Sequence, residues 1–532
     1  MADNIDMHNW DIATGITYED ANAAIAAAGS SPTSLKFTAS DNSASMDVTC
    51  GTWSLALGGA GSDIHVLVPL TGGTVTIGTD THTVTSAQTI FTVYAQYIPH
   101  SPSGAGANLR DLVLSSTADG GEVEAEASNP TPPQSNGVVQ AVLLELLNQW
   151  VVANLNEFNH VFAVVDLEAD FSTTPALSWM KPWYLGYACS EPSSNPSLAN
   201  SVFGVLALVD EPSSEAEKNK LIANLAYDID LGVIPEDKKA GLAVAARKFL
   251  QHMILPATPY MFGDVGHEPP ISSFTIDNDG NRIITNAALT MAPLHLDNGK
   301  TIEPTVPAGQ FYIEVDGREL KVSAQQMTFS GGPGITVKLN YDNAMSLGLS
   351  ADGTTLDLSM VRQSAGGDVE TSKVLDVLQI ALGVVSIVTA IVSAGGGALV
   401  KAANAAVESA NAAAIAAAES SGEEVAAADE IAVTAARGMI KGTVESVSTL
   451  SGRIATVVKV AVATAFVSGT TVGIIEILRG IAGGDAKAKP DIREFTETAM
   501  DKVVKFTSTH DYELSEAYLQ GALIFGLDHA KS

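Results

Sequence analysis

The sequence predicts an α+β protein whose strands and helices are segregated along the chain. Three observations carry this expectation. Apolar residues alternate with period two from Trp53 to Tyr97, between glycine-rich turns. One long apolar stripe at three- and four-residue spacing follows from Val139 to Leu155. Alternation then resumes from about Ser272.

In the first stretch Trp53, Leu55 and Leu57 alternate with Thr52, Ser54 and Ala56, and Gly58-Gly59-Ala60-Gly61-Ser62-Asp63 makes a turn. Ile64, Val66, Val68 and Leu70 then alternate, as do Val75 and Ile77, and Phe91, Val93, Ala95 and Tyr97. Such runs between glycine turns describe antiparallel strands with one buried face. The acidic, proline-bearing segment Gly120–Gly137 reads as a loop. Val139, Val142, Leu143, Leu146, Leu147 and Trp150 then share one helix face, extended by Leu155. A strand is expected at His160–Val165. A second helix is expected over Lys239–Ile254, striped by Leu242, Ala246, Phe249 and Met253 and ended by Pro256.

From Ser272 the text is β again. Phe274–Ile276 and Arg282–Ile284 flank the hairpin signal Asp279-Gly280. Phe311, Ile313 and Val315 precede Asp316-Gly317, and Leu320 and Val322 follow it. Ile335, Val337, Leu339 and Tyr341 alternate, and so do Leu356, Leu358 and Met360. The chain closes with a short helix through Ile492, Phe495, Ala499 and Val503, and a strand with Tyr512, Leu514 and Leu519. The reading gives two modules, 1–265 and 266–532, the second interrupted by an insert at 372–489.

That insert holds an uncharged run, Val377–Val400, long enough for the roughly 20 residues that span a bilayer core. An alanine-rich stretch around Ala412–Ala418 favours helix. A helix that is apolar all round is buried in protein or in lipid. If lipid, the contacts fall on Ile380, Val384, Ile387, Val388 and Ile391.

Composition narrows the function. Sixty Asp and Glu against 28 Lys and Arg leave a formal charge of −32. Mean hydropathy is nevertheless +0.19. Disorder needs low hydrophobicity together with charge, so it is excluded. Nucleic acid is not an expected partner, because each phosphate contact needs a cation. Two cysteines, Cys50 and Cys189, make no disulfide scaffold. The opening MADNIDMHNW has neither a basic nor an apolar signal region, so synthesis is expected in the cytoplasm, with release by a non-classical route as the way outside. The two unusual properties are separated in sequence. Residues 1–180 hold 19 acids and two cations, Lys36 and Arg110, whereas 372–489 is nearly neutral with nine cations and ten acids.

Catalytic motifs are absent from the sequence. It has no HExxH, CxxC, Walker loop or Gly-x-Ser-x-Gly elbow. Asp277-Asn278-Asp279-Gly280 has its glycine at the fourth position rather than the sixth of a calcium loop, and fits a hairpin turn better. Asp166, Glu168 and Asp170 alternate and could face a hard cation; a solvated strand edge is the simpler reading. The expectation is no enzyme, no metal and no cofactor.

Several segments resemble a known family. His8-Asn9-Trp10-Asp11 is similar to an opening Gly-Trp-Asp signature, with Asn9 in the glycine position. Gly51-Thr52-Trp53, Gly58-Gly59-Ala60-Gly61 and Pro69 resemble its strand–turn–strand unit. Phe158-Asn159-His160-Val161-Phe162-Ala163, Lys181-Pro182 and Tyr187-Ala188 resemble its central signature, and Lys248-Phe249-Leu250 before Leu255-Pro256 the helix beyond. Together they resemble the forty-seven-kilodalton accessory proteins of OrfX-type botulinum neurotoxin clusters. The resemblance implies a tubular lipid-binding (TULIP) fold, in which a curved antiparallel sheet wraps a long helix. It therefore implies two TULIP-like modules and a non-enzymatic lipid- or membrane-interacting protein with a toxin or toxin-accessory role. Its partners would be lipid or membrane and co-encoded toxin proteins. Leu143, Leu147, Trp150, Phe249 and Met253 are the candidate lipid-lining residues. Two alternatives are a membrane-inserting, insecticidal-type toxin that uses the insert, and a protein-binding scaffold of a toxin complex.

Overall fold

A computed structural model describes residues 4–371 and 492–531, apart from 101–107, 119–120, 122, 173–174, 263–267, 292, 296–300 and 333–334. The expected insert, with its five lipid-contact candidates, lies outside the described residues. The described part is α+β, with neighbouring strands antiparallel.

The chain divides into two compact units. The first comprises Ile5–Ala245, Ile492–Glu516 and Ile524–Ser532. The second comprises Ala246–Asp491 with Met1–Asn4 and Ala517–Leu523. The change of unit therefore falls at Ala245/Ala246, and most of the last forty residues return to the first unit.

The first unit holds two sheets. Its principal elements in chain order are β1 (Ile12–Thr17), α1 (Tyr18–Ala28), β2 (Ser34–Thr38), β3 (Ala44–Cys50), β4 (Ile64–Ile77), β5 (Ala87–Pro99), β6 (Leu109–Ser115), α2 (Gly137–Asn154), β7 (Val161–Asp166), β8 (Pro182–Ser190), β9 (Val202–Val209) and β10 (Ala240–Ala245). One sheet is a meander in the order β2-β3-β4-β5-β6-β7, closed by Val504–Phe506. From Ile64 to Leu70 its burial alternates residue by residue, the period-two pattern that was readable in the sequence. The other sheet has the order β8-β9-β1-β10, followed by Ala522–His529 and Tyr512–Leu519.

This second sheet corrects one expectation. Lys239–Ile254 is not a single helix: Ala240–Ala245 is a strand and helix begins at Ala246. The strand is central and nearly buried on both faces, so its sequence shows no alternation. Gly241 marks the close packing, since a Cβ there would lie 1.8 Å from the Val233 carbonyl oxygen. Nor does Pro256 end the helical text. It opens the 3₁₀ turn Leu255–Met261, where the missing N–H of a first-turn proline costs no hydrogen bond.

In the second unit the hairpin at Asp279-Gly280 forms as expected, pairing Phe274–Ile276 with Arg282–Thr285. Asp277 Oδ1 accepts from the Gly280 N–H at 2.9 Å and from the Arg282 N–H at 3.3 Å, which is turn geometry. Three long strands follow Phe311–Asp316: Glu319–Gly332, Ile335–Leu349 and Leu356–Thr371, each paired to the next.

The entry to β1 explains the departure at Asn9. His8 and Asn9 both have left-handed backbones, φ 49° and 68°. Glycine suits that conformation, and asparagine is among the few other residues that tolerate it. The bend lets Trp10 enter the core at 1% exposure, stack 6.0 Å from Tyr184, and donate through Nε1 to the Ala226 carbonyl at 2.8 Å. Asp11 Oδ2 accepts from the Val209 N–H at 2.9 Å, fixing β1 beside β9. Asn9→Val is expected to destabilise by about 1–2 kcal/mol, because a β-branched residue resists positive φ. Asn9→Gly should stay within about 1 kcal/mol of the parent, since only the Asn9 Nδ2 bond to the Asn224 carbonyl is lost. Urea midpoints of the two variants check the contrast.

Candidate functional site

The site with the most structure behind it is the core between α2 and the meander sheet. Asn136 caps α2, its side chain accepting from the Val138 N–H. The helix then buries Val139, Leu143, Leu146, Leu147, Trp150 and Val151. It packs over β2, β3 and β4, whose inward residues include Leu35, Met46, Val48, Val66 and Val68. Gly137–Glu157 is long and apolar enough to cross a membrane by length and composition, but this face of it is covered by the sheet.

At the C-terminal end of α2 the core becomes aromatic. Phe158 meets Trp53 at 5.4 Å and Trp150 at 5.7 Å, both edge-to-face, and Phe91 at 6.1 Å. His160 lies 5.0 Å from Phe162 and 5.9 Å from Trp53. Burial pushes the His160 imidazole down to about 4, so it is neutral at pH 7. Trp53 and Trp150 are 1% and 0% exposed, and among the described residues neither indole N–H has a hydrogen-bond acceptor. A buried donor without a partner carries a desolvation cost.

The structure thus brings Leu143, Leu147 and Trp150 together on one apolar face, each fully buried. Phe249 and Met253, also buried, belong to the second unit, in a helix that passes from α geometry at Ala246–Phe249 to π geometry at Leu250–Ile254.

A shallow groove of about 570 Å³ lies beside the end of α2, lined by Lys36, Phe37, Met46, Asp47, Thr74 and Asn154 among others. Lys36 pairs with Asp47 at 3.0 Å across edge strand β2 and its neighbour. A charged residue there discourages pairing with a foreign strand. Among the described residues no three His, Cys, Asp or Glu side chains gather as metal ligands. Asp166 and Asp170 accept from the Glu168 and Ser172 backbones, and Glu168 pairs with Lys181. Cys50 and Cys189 are both free thiols. Burial pushes them up to about 11 and about 12.

The segments that carried the family resemblance converge on this architecture. Trp53, Phe158, His160 and Phe162 form the aromatic core. Tyr187 donates to the Ser62 carbonyl and accepts from the Ala95 N–H, each at 2.9 Å, so it ties the glycine turn to β5. The sequence profile described as OrfX-like, Protein OrfX2/OrfX3/P47, matches residues 7–429. The chain belongs to the OrfX-like family. Protein OrfX3 of Paraclostridium bifermentans is 24% identical over 284 residues, covering 48% of this chain and 54% of that protein. Protein OrfX3 of Clostridium botulinum (strain Kyoto / Type A2) is 28% identical over 233 residues, covering 40% and 46%. The chain thus spans about half the length of these relatives. The fold is shared with P47 of C. botulinum A2, with TM-score 0.57 at 11% identity over 99% of this chain and 98% of that one. P47 of C. botulinum E1 gives 0.56 at 12% identity, over 98% and 99%.

The OrfX-like chain also contains a polar cluster that the sequence did not suggest. Asp20 at the start of α1 meets Tyr512 and His529 from the other end of the chain. No spacing signal links residues 492 and 509 positions apart.

Proposed function

We propose that this OrfX-like protein is a non-enzymatic accessory protein of a toxin cluster that acts on lipid, with the α2–sheet core as a TULIP-like tubular module. The observation that carries this reading is the apolar face of α2, covered by the meander and ending at two unsatisfied indole donors. An amphiphile that parted α2 from the sheet would meet Leu143 and Leu147, with donors for its polar oxygens at Trp53 and Trp150. Family membership supports the toxin-accessory role, with co-encoded toxin proteins as partners. The acidic balance of residues 1–180 favours neutral over anionic lipid at neutral pH, by simple repulsion.

The test is flotation of the full chain with phosphatidylcholine vesicles, with and without phosphatidylserine, at neutral and acidic pH. Binding to neutral vesicles is expected, without release of trapped dye. Failure to float with any vesicle at either pH would falsify the reading. Dye release that disappears when residues 372–489 are deleted would replace it with the membrane-inserting alternative.

A further inference from the structure

The polar cluster at the chain end is not used by the reading above. Asp20 sits in the first turn of α1, where its N–H donates to the capping Thr17 Oγ1 at 3.2 Å. Its side chain is only 5% exposed. Oδ2 lies 2.9 Å from the Tyr512 hydroxyl and 2.7 Å from His529 Nε2. An ionised carboxylate only accepts, so both groups donate to it. Burial pushes the Tyr512 phenol up, which keeps it a donor at any pH near neutral. Ser508 Oγ donates to the Tyr512 hydroxyl at 3.2 Å, and the His510 N–H donates to Ser508 Oγ at 3.1 Å. That turn lays the His510 ring on the His529 ring, with centroids 4.1 Å apart and planes 23° from parallel.

We propose that this cluster is an acid-responsive latch on the C-terminal strand pair, closed while the stacked imidazoles carry at most one proton and opened by the second. One imidazolium beside Asp20 is a charge-assisted bond to a buried carboxylate, and it tightens the latch. Two imidazoliums at stacking distance repel, and one carboxylate cannot offset both. Histidine is the residue whose charge changes in mildly acidic solution.

Other charges face the cluster. On α1, Glu19 pairs with Lys239 at 2.9 Å. The bond from Lys239 holds the Glu19 carboxyl below its usual range. Its contribution to stability is present above the ordinary carboxylate pKa and is lost only as pH falls through the lowered one. Lys238 pairs with Asp528 at 3.0 Å on the strand that ends in His529. Asp511 precedes Tyr512, and its carbonyl accepts from the Ala530 N–H. Opening in milder acid is assigned to the histidines, whose ordinary range lies there.

Hydrogen–deuterium exchange of the full chain, corrected for intrinsic pH effects, reads the latch. Peptides covering residues 508–516 and 524–531 are expected to lose about tenfold more protection than β4 peptides between roughly pH 6.5 and 5, with β4 reporting the acid loss of the first unit as a whole. His510→Gln removes the second charge at an exposed position, and should hold protection at the lower pH. Asp20→Asn should weaken protection at every pH. A wild-type profile that is flat, or a His510→Gln profile that follows the wild type, would overturn the proposal. Loss of protection shared equally by β4 would assign the acid response to global unfolding and overturn it as well.

Discussion

Replacing Trp150 with alanine is expected to lower the unfolding free energy of this protein by about 3–5 kcal/mol, the usual cost of removing a large aromatic from a closed core. Trp150 is fully buried, touches Phe91 and Phe158, and lies on the α2 face that covers the meander. Phe91 belongs to strand β5 and cannot collapse into the space without breaking ladder bonds, so much of the cavity should persist. Trp150→Phe is the informative partner. It keeps much of the ring volume and deletes an N–H that has no acceptor among the described residues. Its cost should therefore stay near 1–2 kcal/mol, because relief of an unsatisfied donor offsets part of the lost packing. Denaturant titration monitored by the remaining tryptophans measures both. If Trp150→Phe were as damaging as Trp150→Ala, the indole N–H would have a partner, and the donor argument for the ligand site would go with it.

Acid should destabilise the first unit through His160, and well before the carboxylates titrate. Burial holds this imidazole down at about 4, while in the unfolded chain it titrates at its ordinary value near 6.5. Between those values the unfolded state binds more protons than the folded one, so stability falls as pH falls. The full difference corresponds to about 3 kcal/mol at 1.36 kcal/mol per unit, an upper figure of order-of-magnitude precision. The loss begins near pH 6.5 and is complete near pH 4. His160→Phe keeps an aromatic against Trp53 and Phe162 and removes the titration. Its stability between pH 7 and 5 should be flatter than the parent's by about 2 kcal/mol. Equal slopes for parent and variant would show that the imidazole is solvated enough to protonate in the folded state.

Much of the first unit could be read from sequence, for a particular reason. β4 and β5 bury alternate residues and leave those between less buried, so period two survives in the text from Ile64 to Leu70. The helix α2 was equally clear, because its stripe from Val139 to Trp150 has one covering surface and one solvated side. β10 was missed because a strand buried on both faces has no alternation to show. The closing strand Ala522–His529, buried over most of its length, was missed on the same ground. The left-handed bend at Asn9 was not read from the sequence, although asparagine is among the few residues that tolerate that backbone.

By itself, the sequence determined the α+β class, the acidic β-rich first half, the long apolar helix and the family. All of these follow from local patterning, composition and short segments of similar residues. Tertiary structure alone placed Leu143, Leu147 and Trp150 in the first unit and Phe249 and Met253 in the second. It alone left Trp53 and Trp150 without acceptors among the described residues, buried His160 among rings, and brought Tyr512 and His529 to Asp20. Each of these depends on which strands become neighbours. Strand pairing is a long-range choice, made by burial and hydrogen bonding between segments hundreds of residues apart, and no local pattern encodes it.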